Sequence, residues 1–100
     1  MNDVVLSPRT REVRKANVPV DVTTLEFDIL NILMRAAGRV VSRNELSTVL
    51  HHGAARRLGR TIDVHISNLR KKLETDDQTL IRTIYGTGYL FVEHDGAEET

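Results

Sequence analysis

Residues 60–73 read RTIDVHISNLRKKL, and the arrangement of that stretch decides the fold. Advancing by about 100° per residue from Ile62 brings Ile66, Leu69 and Leu73 back to within about 40° of it. Four aliphatic side chains on one stripe predict a helix held against a core. Arg60, Val64, Ser67 and Lys71 then lie opposite, with Thr61 and Asn68 beside them and His65, Arg70 and Lys72 on the flanks.

The face away from the stripe carries an unusual mixture. Asn68 offers an acceptor and a donor side by side, the pattern that pairs with N6 and N7 of adenine in a major groove. Val64 is wasted in water but suits a thymine methyl, and His65 and Ser67 can donate or accept. Arg70 and Lys72 splay to either side, where the phosphate rails of a groove would run, and Lys71 extends the outward face at the helix end. Arg60 and Thr61 stand in the first turn, where free N–H groups and the helix dipole favour phosphate. A merely solvated face would more often pair Glu with Lys, yet Asp63 is the sole acid before Glu74. Taken alone, this helix leaves both readings open: a solvated amphipathic helix, or one built to lie against a polyanion.

Charge around the segment leans toward the second. Net charge over 100 residues is zero. Residues 54–73, however, hold Arg56, Arg57, Arg60, Arg70, Lys71 and Lys72 against Asp63, a local +5, while Glu93, Asp95, Glu98 and Glu99 make the end of the chain −4. Association with a polyanion follows the local field and not the sum.

The totals, 40% apolar and 28% charged residues, describe one small globular domain. No run approaches the roughly eighteen apolar residues of a membrane span, and the N-terminus lacks the pattern of a secretory signal. Absence of cysteine removes disulfides and thiolate metal sites and suits a reducing cytoplasm, the expected location.

Before the decisive segment, VVLS, TREVRK and VPVDV read as about three antiparallel strands separated by Ser7-Pro8-Arg9 and Ala16-Asn17. Thr23 and Glu26 form a capping box that opens a helix with apolar residues on two adjoining faces, ended by Gly38. GRVV is a short extended link. Ser42 and Glu45 form a second box, and Leu46, Val49 and Leu50 make the inward stripe of a short helix. Residues 51–59, HHGAARRLG, read as a loop. After it, TDDQ is a turn, and LIRTIY and YLFV form a hairpin around Gly86-Thr87-Gly88. Residues 93–100 have nothing to pack and read as an acidic flexible tail. Strands, three helices and a hairpin, in that order, make a winged helix-turn-helix whose last helix is the reader.

Four segments, TTLEFDIL, GRVVSRNEL, RTIDVHISNLRKKL and IRTIYGTGYLF, stand in the order and at the spacing of one family. Across residues 4–92 the chain resembles the effector domain of OmpR/PhoB-type response regulators of bacterial two-component systems, and its third segment and the loop length before it look closest to the CpxR-like branch. The resemblance implies an α+β fold with a four-stranded antiparallel N-terminal sheet, a three-helix core and a C-terminal β-hairpin wing, in a domain spanning residues 1–92. It implies sequence-specific binding of double-stranded promoter DNA, with the third helix in the major groove and the wing, residues 80–92, near the adjacent minor groove. It further implies tandem binding to directly repeated half-sites, by a domain that is a monomer or weak dimer alone. Arg60, Thr61, Val64, His65, Asn68 and Arg70 match the family's recognition-helix contacts. The loop holding His51, His52, Arg56 and Arg57 matches the segment that can meet RNA polymerase.

Control by a sensor histidine kinase would act through a receiver domain, which these residues do not supply. Met1-Asn2-Asp3 also leads abruptly into a strand, which suggests a piece of a longer chain. Two positions depart from the family pattern. Tyr85 stands where many members carry an arginine that enters the minor groove, and the nearby base able to substitute is Arg82, with Thr87 completing the wing surface. His51 stands where some members place a phosphate-contacting tryptophan.

No enzyme is expected, because nothing resembles a nucleophile elbow or a paired acid–base site. No cofactor is expected either. Adjacent His51 and His52, even with His65 or His94, rarely converge on one metal ion. Gly86-Thr87-Gly88 lacks the lysine and helix of a phosphate loop and reads as a tight hairpin turn. The competing reading from another class is a winged helix that binds a protein through its third helix or wing and does not bind DNA.

Overall fold

Three short strands open the computed structural model, which describes residues 3–50, 61–75 and 78–92. They are β1 (Val4–Ser7), β2 (Glu12–Lys15) and β3 (Val18–Val20), antiparallel in the order β1-β2-β3. Leu6 pairs with Val13, and Val13 with Val20. Strand alternation therefore puts Val4, Leu6, Val13 and Val20 on the core face and Val5 toward solvent, while Val18, on the same face as Val20 but at the start of its strand, is exposed. The two residues between β2 and β3, Ala16 and Asn17, both have positive φ, 51° and 69°, as a two-residue hairpin loop matched to strand twist requires.

The four-stranded sheet implied by the resemblance is not what forms. β3 ends at Val20, and residues 21–22 carry the chain to the cap of the first helix without joining the sheet. The sheet is fastened to its surroundings by charge. Arg11 reaches Asp28 at 2.9 Å and lies over the Phe27 ring, 4.3 Å from its centre. Lys15 Nζ donates to both oxygens of Asp3 at 2.9 Å and to Oε1 of Gln78 at 2.6 Å.

Helix α1 (Thr24–Arg35) starts at the expected box: Glu26 N–H donates to Thr23 Oγ1 at 3.1 Å, and Thr23 N–H to Glu26 Oε1 at 3.0 Å. Such a cap contributes about 1 kcal/mol. Phe27, Ile29, Leu30 and Leu33 are buried, with Leu25, Ile32 and Met34 packed at the edge of the same core. The breadth of that band places α1 at the centre of the domain. At its end Gly38, with φ 87°, turns the chain, and its N–H donates to the Phe91 carbonyl at 3.0 Å.

The link after Gly38 does more than connect. Val41–Ser42 form β4, which pairs with β6 (Gly88–Phe91), itself paired with β5 (Ile81–Ile84). The wing is thus a three-stranded sheet in the order β4-β6-β5, and not a lone hairpin. Gly88 makes the third strand possible, since a Cβ there would collide with the Val41 carbonyl. Gly86 has a different task, supplying the positive φ, 80°, of the turn closed by Thr87 N–H on the Ile84 carbonyl.

Helix α2 (Arg43–Leu50) begins at the second box, Glu45 N–H donating to Ser42 Oγ at 2.9 Å and Ser42 N–H to Glu45 Oε1 at 3.3 Å. Helix α3 (Thr61–Leu73) follows. The expected loop at residues 51–59 and tail at residues 93–100 lie outside the described residues. Among those described, no helix is long and apolar enough to cross a membrane.

Candidate nucleic-acid interface

Helix α3 sits as its period requires. Ile62, Ile66, Leu69 and Leu73 are at most 4% exposed, while Val64, on the far side, is 53% exposed. Burying four such side chains stabilises the helix by about 6–12 kcal/mol of gross transfer free energy, before chain entropy is subtracted. Val64, Ser67 and Lys71 form an open surface beside the half-buried Asn68. Ser67, Asn68 and Lys71 make no side-chain hydrogen bond or ion pair among the described residues. Their polar groups are available to a ligand.

The flanks behave differently from expectation. Lys72 does not splay outward: its Nζ donates to Glu26 Oε1 on α1 at 2.6 Å. Arg70 turns to the wing, where Nε donates to the Ile81 carbonyl at 3.1 Å and Nη2 to Thr83 Oγ1 at 2.6 Å. His65 is half-buried, with both ring nitrogens covered and without a hydrogen-bond partner among the described residues. To the outward directions expected for these three residues the structure thus adds internal partners at Arg70 and Lys72 and cover over the His65 ring. The cause is angular. These residues stand nearer the edges of the buried stripe than its opposite, and α1 and the wing supply partners at those edges.

Asp63, the lone acid in the basic run, is also engaged. Arg43, first residue of α2, grips both its oxygens at 2.5 Å and 3.1 Å, and the Tyr89 hydroxyl donates to Oδ1. Arg43 and then Tyr89 hold the Asp63 carboxyl below the usual range. Tyr89 is pushed up, first by burial and then by Asp63, and Arg43 is raised by its bond to Asp63. For Glu26, burial would push the carboxyl up, but Lys72 and the Thr23 N–H outweigh it and leave it lowered.

Arg82, Tyr85 and Thr87 are exposed on the wing, Tyr85 to 90%. Arg43, Asp63, Thr83, Tyr85, Thr87 and Tyr89 line a cleft of about 350 Å³ between the start of α3 and the wing. The backbone of Thr61 opens α3, whereas Arg60 and the loop residues His51, His52, Arg56 and Arg57 lie outside the described residues. Sequence reasoning missed Glu26, Arg43 and Tyr89 as partners of α3. The isolated acid at Asp63 was the available signal, since a single carboxylate among bases calls for a partner.

Comparison with known proteins agrees with this architecture. Residues 17–91 match the family described as "Transcriptional regulatory protein, C terminal". The transcriptional regulatory protein TrcR of Mycobacterium tuberculosis is 38% identical over 93 residues, covering 90% of this chain and 35% of TrcR. CpxR of Escherichia coli is 37% identical over 91 residues, covering 89% of this chain and 39% of CpxR. The chain thus spans between a third and two-fifths of the length of these relatives. Among solved structures, the DNA-binding domain of Klebsiella pneumoniae RstA, in complex with the RstA box, superposes with a TM-score of 0.78 at 33% identity, covering 92% of this chain and 93% of that one.

Proposed function

The chain belongs to the family of transcriptional regulatory protein C-terminal domains, the OmpR/PhoB-type effector domains of bacterial response regulators, and from that premise we propose that it binds promoter DNA sequence-specifically through the outward face of α3. The observation that carries the proposal is the set Val64, Ser67, Asn68 and Lys71, which has no polar partner among the described residues and stands opposite four buried aliphatic residues. A helix about 10–12 Å across fits a major groove about 12 Å wide.

In this reading Asn68 pairs with an adenine edge, Val64 meets a thymine methyl, Ser67 bonds a base or phosphate, and Lys71 neutralises backbone. Thr61, at the start of α3, meets phosphate with its backbone, and Arg60, the preceding residue in the chain, adds its charge there. Arg70 adds its charge from beside the wing. Exposed Arg82, Tyr85 and Thr87 lie against the adjacent backbone and minor groove, Tyr85 by stacking on sugar and Arg82 by charge. Tandem binding on direct repeats, contact of the loop with RNA polymerase and control by a sensor kinase through a receiver domain belong to the same proposal.

The test is selection of bound duplexes from a random pool, followed by titration of the selected site across salt concentrations. Neutralising about three to five phosphates gives a log–log slope of about −3 to −5. No retention of duplex at low ionic strength would remove DNA as the partner and leave a protein-binding winged helix.

A further inference from the structure

Asp63 and Arg70 stand seven residues apart, so two helical turns bring them to one edge of α3 about 10 Å apart. Both reach into the wing. Asp63 accepts from the Tyr89 hydroxyl on β6, and Arg70 donates to Thr83 Oγ1 on β5 at 2.6 Å. Thr83 and Tyr89 are direct partners across the β5–β6 ladder. The Arg70 guanidinium also lies 5.9 Å from the centre of the Tyr89 ring. Four side chains therefore close a frame in which two points on the helix are tied to two points on the wing. Arg43 extends it to α2 through both oxygens of Asp63.

We propose that Asp63 and Arg70 are positioning residues which set the angle between α3 and the wing, and that this angle determines how sharply one DNA sequence is distinguished from another. The proposal rests on the DNA-binding reading above and deepens it. Hydrogen bonds to base edges weaken steeply with small changes of distance and angle, whereas attraction between bases of the protein and phosphates does not. One frame pins the helix at both ends of the segment bearing Val64, Ser67 and Asn68. A domain released from it keeps its grip on DNA and loses its discrimination.

Two substitutions test this. Tyr89→Phe removes one hydroxyl and keeps the ring, and Thr83→Val removes the acceptor for Arg70 at nearly constant volume. For each, dissociation constants are measured on the selected site and on random duplex, with thermal unfolding alongside. Residual dipolar couplings of the free domain report the orientation of α3 relative to β5 and β6. The expected result is an approximately five- to tenfold fall in the ratio of selected to random affinity, with random affinity and salt slope changed less than about twofold. The couplings should show a broadened or shifted angle. A lowered unfolding midpoint with an unchanged affinity ratio, or equal loss on both duplexes, would overturn the positioning role. Failure of the unsubstituted domain to prefer any duplex would instead overturn the DNA-binding reading, and the two failures are distinguishable.

Discussion

Lys72 Nζ lies 2.6 Å from Oε1 of Glu26, whose side chain is 3% exposed, so a cation at the end of α3 is neutralised by the capping-box glutamate of α1. Glu26→Gln keeps an acceptor for the Thr23 N–H and releases Lys72. The substituted domain is expected to bind every duplex about two- to fivefold more tightly, with a salt slope steeper by about one. Salt-dependent titration on random DNA checks this, and an unchanged slope would mean that Lys72 lies beyond reach of phosphate. The opposite substitution, Lys72→Met, leaves a buried carboxylate short of one partner. It should cost about 1–3 kcal/mol in urea unfolding.

Asn68 projects from the same helix with no internal partner among the described residues. Asn68→Ala is expected to weaken the selected site by about 1–3 kcal/mol and to leave random duplex almost unaffected. Equal losses on both would take Asn68 out of base recognition. Lys71→Ala should do the reverse, lowering affinity for all sequences alike and flattening the salt dependence.

Stability should fall on both sides of neutrality. Asp3 is lowered by Lys15, Asp63 by Arg43 and then Tyr89, and Glu26 by Lys72 and the Thr23 N–H against the effect of burial. A carboxyl lowered on folding adds stability that is complete above its ordinary value, 3.8 for Asp and 4.5 for Glu, and is lost as pH falls through the folded value. Tyr89 is raised, so its contribution is complete below 10.0 and is lost as pH climbs through the folded value. Urea midpoints from these groups should hold level between about pH 6 and pH 9 and decline outside that range. Lys72→Met should flatten the acid limb, and an unaltered limb would show that the ion pair does not set it.

Ala16 occupies the left-handed region, φ 51°, at the first position of the β2–β3 loop. A side chain with a Cβ but no local hydrogen bond is strained there. Ala16→Asn should stabilise the domain by about 0.5–1 kcal/mol, read as a higher unfolding midpoint.

Much of the fold was legible because it is local. The stripe Ile62, Ile66, Leu69 and Leu73 follows from helical period, and the boxes at Thr23–Glu26 and Ser42–Glu45 follow from capping chemistry. Strand β4 was not legible, because two residues carry no period and its pairing depends on Gly88 lacking a side chain. The internal partners of the flanks of α3 were not legible for a related reason. A helical wheel gives the direction of Arg70, His65 and Lys72 but not what waits there, and Lys72 finds its partner 46 residues earlier in the chain. The outward face was easier, since nothing in the described fold competes for it.

The claim that α3 enters a groove by this face is tested most directly by following backbone amide shifts as a selected duplex is added to labelled domain. The account predicts the largest changes, and slowed hydrogen exchange, along Val64, Ser67, Asn68 and Lys71, with smaller ones at Arg82, Tyr85 and Thr87. Changes concentrated on β1–β3, with the outward face of α3 silent, would contradict it.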